Sequence, residues 1–130
     1  MRTACYLIVL LSLGFIMTAF QSKEDSLIGD WAGTSKCQLK NSACHDENVI
    51  YHISHGSGAD LYRIDADRIV DGKAVDMGEL DFKFDKGSHT LTCVYPQGTW
   101  VLVADKTHID GTLTTPDKVL FRRISLTKTR

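Results

Sequence analysis

The sequence predicts an all-β protein: an antiparallel up-and-down barrel of about eight strands behind an N-terminal signal helix. Three observations carry this reading. Apolar and polar residues alternate with period two in one segment after another, as in strands with one face on a core and one in water. Turn chemistry punctuates the chain at spacings of about 8–14 residues. Nearly every link is of hairpin length, so sequence neighbours can pair in space, and no long crossover of the Greek-key kind is evident.

The chain has 130 residues and reads as one domain behind a leader. Residues 1–21 have the form of a secretory signal peptide. Arg2 is the basic start, Ala4 to Phe20 is the apolar run, and Thr18, Ala19 and Ser22 supply small or polar residues near a cleavage point. The run is short for a membrane span and lacks a basic stop-transfer flank. Residues 22–28 are expected as a mobile polar lead-in. Residues 29–130 form the barrel.

The first strand starts at Gly29, with Trp31, Gly33, Ser35, Cys37 and Leu39 on one face. Lys40-Asn41-Ser42 is turn chemistry. Asn48 to His55 is the second strand, rich in Val, Ile and Tyr, and Gly56-Ser57-Gly58 breaks it. Leu61 to Val70 sets Tyr62, Ile64 and Ala66 against Arg63, Asp65 and Asp67. Asp71-Gly72 is a strong hairpin signal. Val75 to Asp85 has the clearest alternation, Leu80, Phe82 and Phe84 opposing Glu79, Asp81, Lys83 and Asp85. Thr90–Tyr95, Thr99–Ala104, Thr107–Thr114 and Val119–Thr127 follow, separated by Pro96-Gln97-Gly98, Asp105-Lys106 and Thr115-Pro116-Asp117-Lys118. Eight strands close around a lumen that is either filled by side chains or just wide enough for one small ligand.

Removal of Arg2 with the leader leaves 14 basic against 16 acidic residues, a formal charge of −2. The charges are interspersed. Nucleic acid and anionic membrane surfaces are therefore poor partners, and no membrane association is expected after cleavage. The composition leaves the oligomeric state open. Cys37, Cys44 and Cys93 remain, an odd count that suits one disulfide and one free thiol. Cys37 and Cys44 flank a six-residue loop and could face each other across a hairpin. Cys37–Cys93 and Cys44–Cys93 stay open as alternatives.

Several residues are candidates for function. Cys44-His45-Asp46-Glu47, followed by His52 and His55, is the densest reactive cluster, and Cys44, His45 and Glu47 are zinc- or copper-type ligands in principle. Their spacing is not that of a zinc finger. His45 and Glu47 would share a side of a strand, but no serine elbow, phosphate loop or separated carboxylate pair accompanies them. Arg122 shares a face with Leu120 and Ile124, so it points inward if they do. An inward arginine needs a partner, such as the face of Trp31 or the carboxylate of a ligand. Tyr62, Phe82, Phe84, Tyr95 and Trp100 are the aromatic residues expected to line or fill the lumen.

Gly29-Asp30-Trp31 at the start of the barrel and Leu120-Phe121-Arg122 on the last strand resemble the calycin class of barrels, the lipocalins and their relatives. The resemblance implies that the chain ends meet and that Arg122 caps Trp31 as a structural closure. The chain also resembles small secreted bacterial domains with a similar Cys-His-Asp-Glu stretch. Together these readings predict an exported module, periplasmic or extracellular, that binds a small apolar or amphipathic ligand without a cofactor. Two other classes stay open: a metal-dependent or lyase-like enzyme centred on Cys44, His45 and Glu47, and a structural or inhibitor domain with a filled barrel.

Overall fold

The computed structural model describes residues 25–130; the expected leader, residues 1–21, lies outside them. Eight strands form one closed antiparallel barrel in sequence order. They are β1 Gly29–Cys37, β2 Glu47–His55, β3 Leu61–Val70, β4 Lys73–Asp85, β5 Thr90–Tyr95, β6 Gly98–Ala104, β7 His108–Thr114 and β8 Leu120–Lys128. No helix occurs among the described residues. The alternation is borne out. Val49, Tyr51 and Ile53 face inward from β2, Tyr62 and Ile64 from β3, and Leu91 and Cys93 from β5. Asp71 and Gly72 both have positive φ, at 50° and 76°, which makes the β3–β4 link the expected two-residue turn.

The chain ends do meet, since β1 pairs with β8 along seven positions. The approach at Gly33 is close: a Cβ there would lie 1.9 Å from the Ser125 carbonyl oxygen. The detail of the closure differs from expectation. Trp31 lies opposite Lys128, and Cys37 lies opposite Arg122. Arg122 is therefore six residues further along the pair, about 20 Å away at the rise of a strand. The cation over the indole of Trp31 is Lys128, with Nζ 5.5 Å from the ring centroid. An inward side chain on the last strand was correctly expected, but the register of closure gave Trp31 a different partner.

The two ends of the barrel are built differently. At the β1 N-terminal end the lumen is packed, and Trp31, Leu91, Leu102 and Ile109 have no exposed surface. Leu27 plugs this end at 4% exposure. Trp31 Nε1 donates to the Leu27 carbonyl at 3.0 Å, and Lys128 Nζ donates to that of Ser26 at 2.6 Å. The last residues of the expected mobile lead-in are thus part of the core, because the indole N–H and the open barrel end both need covering. At the other end, where β1 finishes and β2 begins, the lumen is open.

Two irregularities shape the open end. In β3–β4 the register passes from Asp65↔Glu79 to Asp67↔Asp76, so Met77 and Gly78 together oppose Ala66. Gly78 takes φ 95°, a conformation that favours glycine, and the bulge bends β4. In β7–β8 the register passes from Leu113↔Arg122 to Thr114↔Leu120, leaving Phe121 as the extra residue. β4 pairs with β5 only through Lys83, Phe84 and Asp85, so the seam between these strands is unladdered toward the open end.

Candidate functional site

The open half of the lumen holds a cavity of about 420 Å³. Its apolar floor and walls include Ile64, Leu80, Phe82, Leu113 and Phe121, and its polar groups include Ser35, Glu47, Tyr51, Tyr95 and Trp100, with Arg122 at the rim. Strand alternation explains most of the wall, since β2, β3, β5, β6 and β7 each send every second residue inward. The bulges supply the rest. Met77 and Phe121 reach the cavity only because each bulge shifts the local phase, whereas Gly78 already shares the phase of Leu80 and Phe82. Simple alternation places Phe121 outside, so nothing in the β8 sequence marks it.

Arg122 organises the rim. Its Nη1 donates to the Ser35 carbonyl, the Ser35 hydroxyl and the His45 carbonyl, each at 3.2 Å. The same nitrogen is 3.8 Å from Glu47 Oε2, while Arg68 Nη1 is 3.7 Å from Glu47 Oε1. One carboxylate therefore faces two guanidinium groups. Burial raises the Tyr51 hydroxyl pKa well above the phenolic value; Arg122 opposes the shift, and Glu47 and Tyr95 add to it. Tyr51 is a neutral donor or acceptor at any physiological pH. Two buried side-chain nitrogens among the described residues have no hydrogen-bond partner, Arg68 Nε and Trp100 Nε1.

A disulfide holds the loop that borders this rim. Cys37 and Cys44 are bonded, with Cα atoms 5.8 Å apart, and Cys93 is free and buried. Asp46 Oδ1 accepts the Cys37 backbone N–H at 2.9 Å, which closes the loop a second time. Burial pushes the Cys93 thiol pKa up, and nearby Asp81 adds to the shift.

Of the aromatic residues expected at the lumen, Phe82, Tyr95 and Trp100 line the cavity. Tyr62 and Phe84 do not. They meet edge to face at the packed end, with ring centroids 5.6 Å apart. The Tyr62 hydroxyl bonds to Asp25, and burial together with that bond pushes its pKa up to about 12. Strand phase was right for both, but Phe84 sits one inward position nearer the packed end than Phe82, and Tyr62, the register partner of Phe82, turns to Asp25 and Phe84. The metal set is corrected as well. Cys44 sulfur is consumed by the disulfide, Glu47 faces two arginines, and exposed His45 takes part through its carbonyl. These residues come together as a rim, not as a ligand sphere.

The outer surface carries a separate polar cluster. His52 bridges Asp30 and Asp67, with Nδ1 and Nε2 at 2.7 and 3.0 Å from their carboxylates, which ties β1, β2 and β3 together. Those two hydrogen bonds raise its pKa. Asp65, Asp67 and Asp76 converge beside the β4 bulge, where Asp67 is engaged by His52 and Asp76 accepts the Gly78 N–H. No family model, curated protein or solved structure matches the chain.

Proposed function

We propose that the barrel is an exported binding module for a small apolar or amphipathic ligand, in the manner of the calycin-like barrels its meander and chain closure resemble. The observation that carries this reading is the cavity of about 420 Å³ in a lumen that is otherwise packed. Small-molecule sites have this character: roughly 300–1,000 Å³, mostly apolar walls and a few placed polar groups. Phe82, Tyr95 and Trp100 contribute aromatic surface, and the unladdered β4–β5 seam gives the wall a place to yield. Export is supported by the disulfide, which suits an oxidising compartment, and by the leader-like residues 1–21. The test is native mass spectrometry of protein purified from its own host, paired with titration by a fluorescent fatty-acid probe. A co-purifying organic mass, or saturable probe uptake, is expected. Ligand-free protein that also fails to take up the probe would refute the proposal.

A further inference from the structure

We infer that the ligand of this cavity is an amphipath with a single carboxylate head and a short apolar tail, its head at Arg122 and Trp100, next to the Glu47–Arg68 pair, and its tail on Phe82. The inference rests on the binding-module reading and deepens it by naming the ligand class. Three observations point to it. The charge at the rim is unbalanced, because Glu47 alone faces Arg68 and Arg122. Glu79, the other carboxylate on the cavity wall, lies 3.7 Å from Arg63, and its side chain is 56% exposed. A cationic head would meet surplus positive charge, and a neutral one would leave it uncompensated.

The unpartnered groups agree in kind. Arg68 Nε and Trp100 Nε1 are both donors, and no buried side-chain acceptor among the described residues lacks a partner. A buried donor without an acceptor is unfavourable, and an incoming oxygen relieves it. The hydrogen bonds of Arg122 all run through Nη1, which leaves the other edge of its guanidinium for an incoming group. Trp100 pairs with Leu113, and Leu113 with Arg122, so indole and guanidinium project into the cavity from the same level. A planar carboxylate suits a guanidinium fork better than a point-like or neutral head does.

Size limits the tail. At about 30 Å³ per non-hydrogen group, the share of a water molecule in the liquid, the cavity of about 420 Å³ takes roughly a dozen such groups. The packed end, stopped by Trp31 and Leu27, prevents a longer chain from threading through.

Calorimetric titration of the disulfide-bonded protein with four ten-carbon probes tests the inference: decanoate, 1-decanol, decyltrimethylammonium and decyl sulfate. Decanoate is expected to bind roughly tenfold or more tightly than decanol, as a charge-assisted head contact should provide. Decyltrimethylammonium should bind most weakly. Arg68→Gln and Trp100→Phe, each checked for folding by circular dichroism, should weaken decanoate several-fold more than they weaken decanol. Arg122 is left intact because it ties the rim together. Decanol binding as well as decanoate would overturn the inference and leave the binding module standing. Decyl sulfate equal to decanoate would overturn the carboxylate assignment. Binding of none of the four would remove the binding-module reading and this inference with it.

Discussion

His52 is the residue whose protonation bears most directly on the barrel wall. Its two ring nitrogens reach Asp30 on β1 and Asp67 on β3. The folded-state pKa is raised above the ordinary 6.5, chiefly by those two hydrogen bonds. The stabilisation is therefore complete below pH 6.5, where the unfolded chain is also protonated, and is lost as pH rises through the elevated folded pKa. Solvent screening keeps the effect modest, because the side chain is 42% exposed. Melting temperatures at pH 6 and 8.5 should fall with pH in the native protein, and His52→Gln should reduce that difference. An equal fall in the variant would assign the pH dependence to other groups. Cys93 gives a second prediction at this scale. It is 8% exposed, and its pKa is raised by burial. In protein lacking residues 1–21, and with them Cys5, iodoacetamide at neutral pH should leave the native fold unmodified and label one thiol after unfolding without reductant.

Among the elements, the disulfide loop and β4 differ most from regular barrel strands. Cys37 and Cys44 are separated by seven positions, and closing so short a loop is worth about 2.5 kcal/mol through the unfolded state. Cys37→Ser/Cys44→Ser should lower unfolding stability by about that amount in urea titration. Strand β4 meets β5 at only three register positions, whereas β6 is laddered on both sides. Amides of Val75 to Asp81 that point toward β5 should exchange with deuterium far faster than those around Leu102. The elements were the most legible part of the sequence. Leu80, Phe82 and Phe84 announced a half-buried strand, and Asp71-Gly72 announced its turn. The bulge at Phe121 was not legible, because period two assumes an unbroken ladder and carries no mark of where it slips, while the bulge at Met77-Gly78 was marked only by a lone glycine within a strand pattern.

For the molecule as a whole, the unequal ends of the lumen decide how it responds to change. Leu102, fully buried in the packed half, has neighbours on every side, and Leu102→Ala should cost about 4 kcal/mol. Leu80 is half-buried and already borders empty volume, so Leu80→Ala should cost about 2 kcal/mol or less. Similar losses in chemical denaturation would mean that the two halves are packed alike. This polarity was also the least legible feature of the candidate site. Tyr62 and Phe82 both read as inward aromatics, but one supports the plug and the other lines the cavity. The two are register partners on β3 and β4, so they sit side by side where plug and cavity meet, and what each ring packs against comes from other parts of the chain that neither strand records. The stagger with which the eight strands close, which no single strand records either, placed Lys128, not Arg122, over Trp31.

The pairing of β1 with β8 also has a consequence in time. Trp31 waits for Lys128, and Ser35 for Ile124, across almost the entire described chain. Such distant contacts slow folding, since loop-closure entropy is lost before the contacts form. During synthesis the hairpins can form one by one, but β1 keeps an open edge until the final strand has emerged. The half-made protein is therefore a sticky ribbon that holds no pocket. Stability and cavity arrive together, with the last strand.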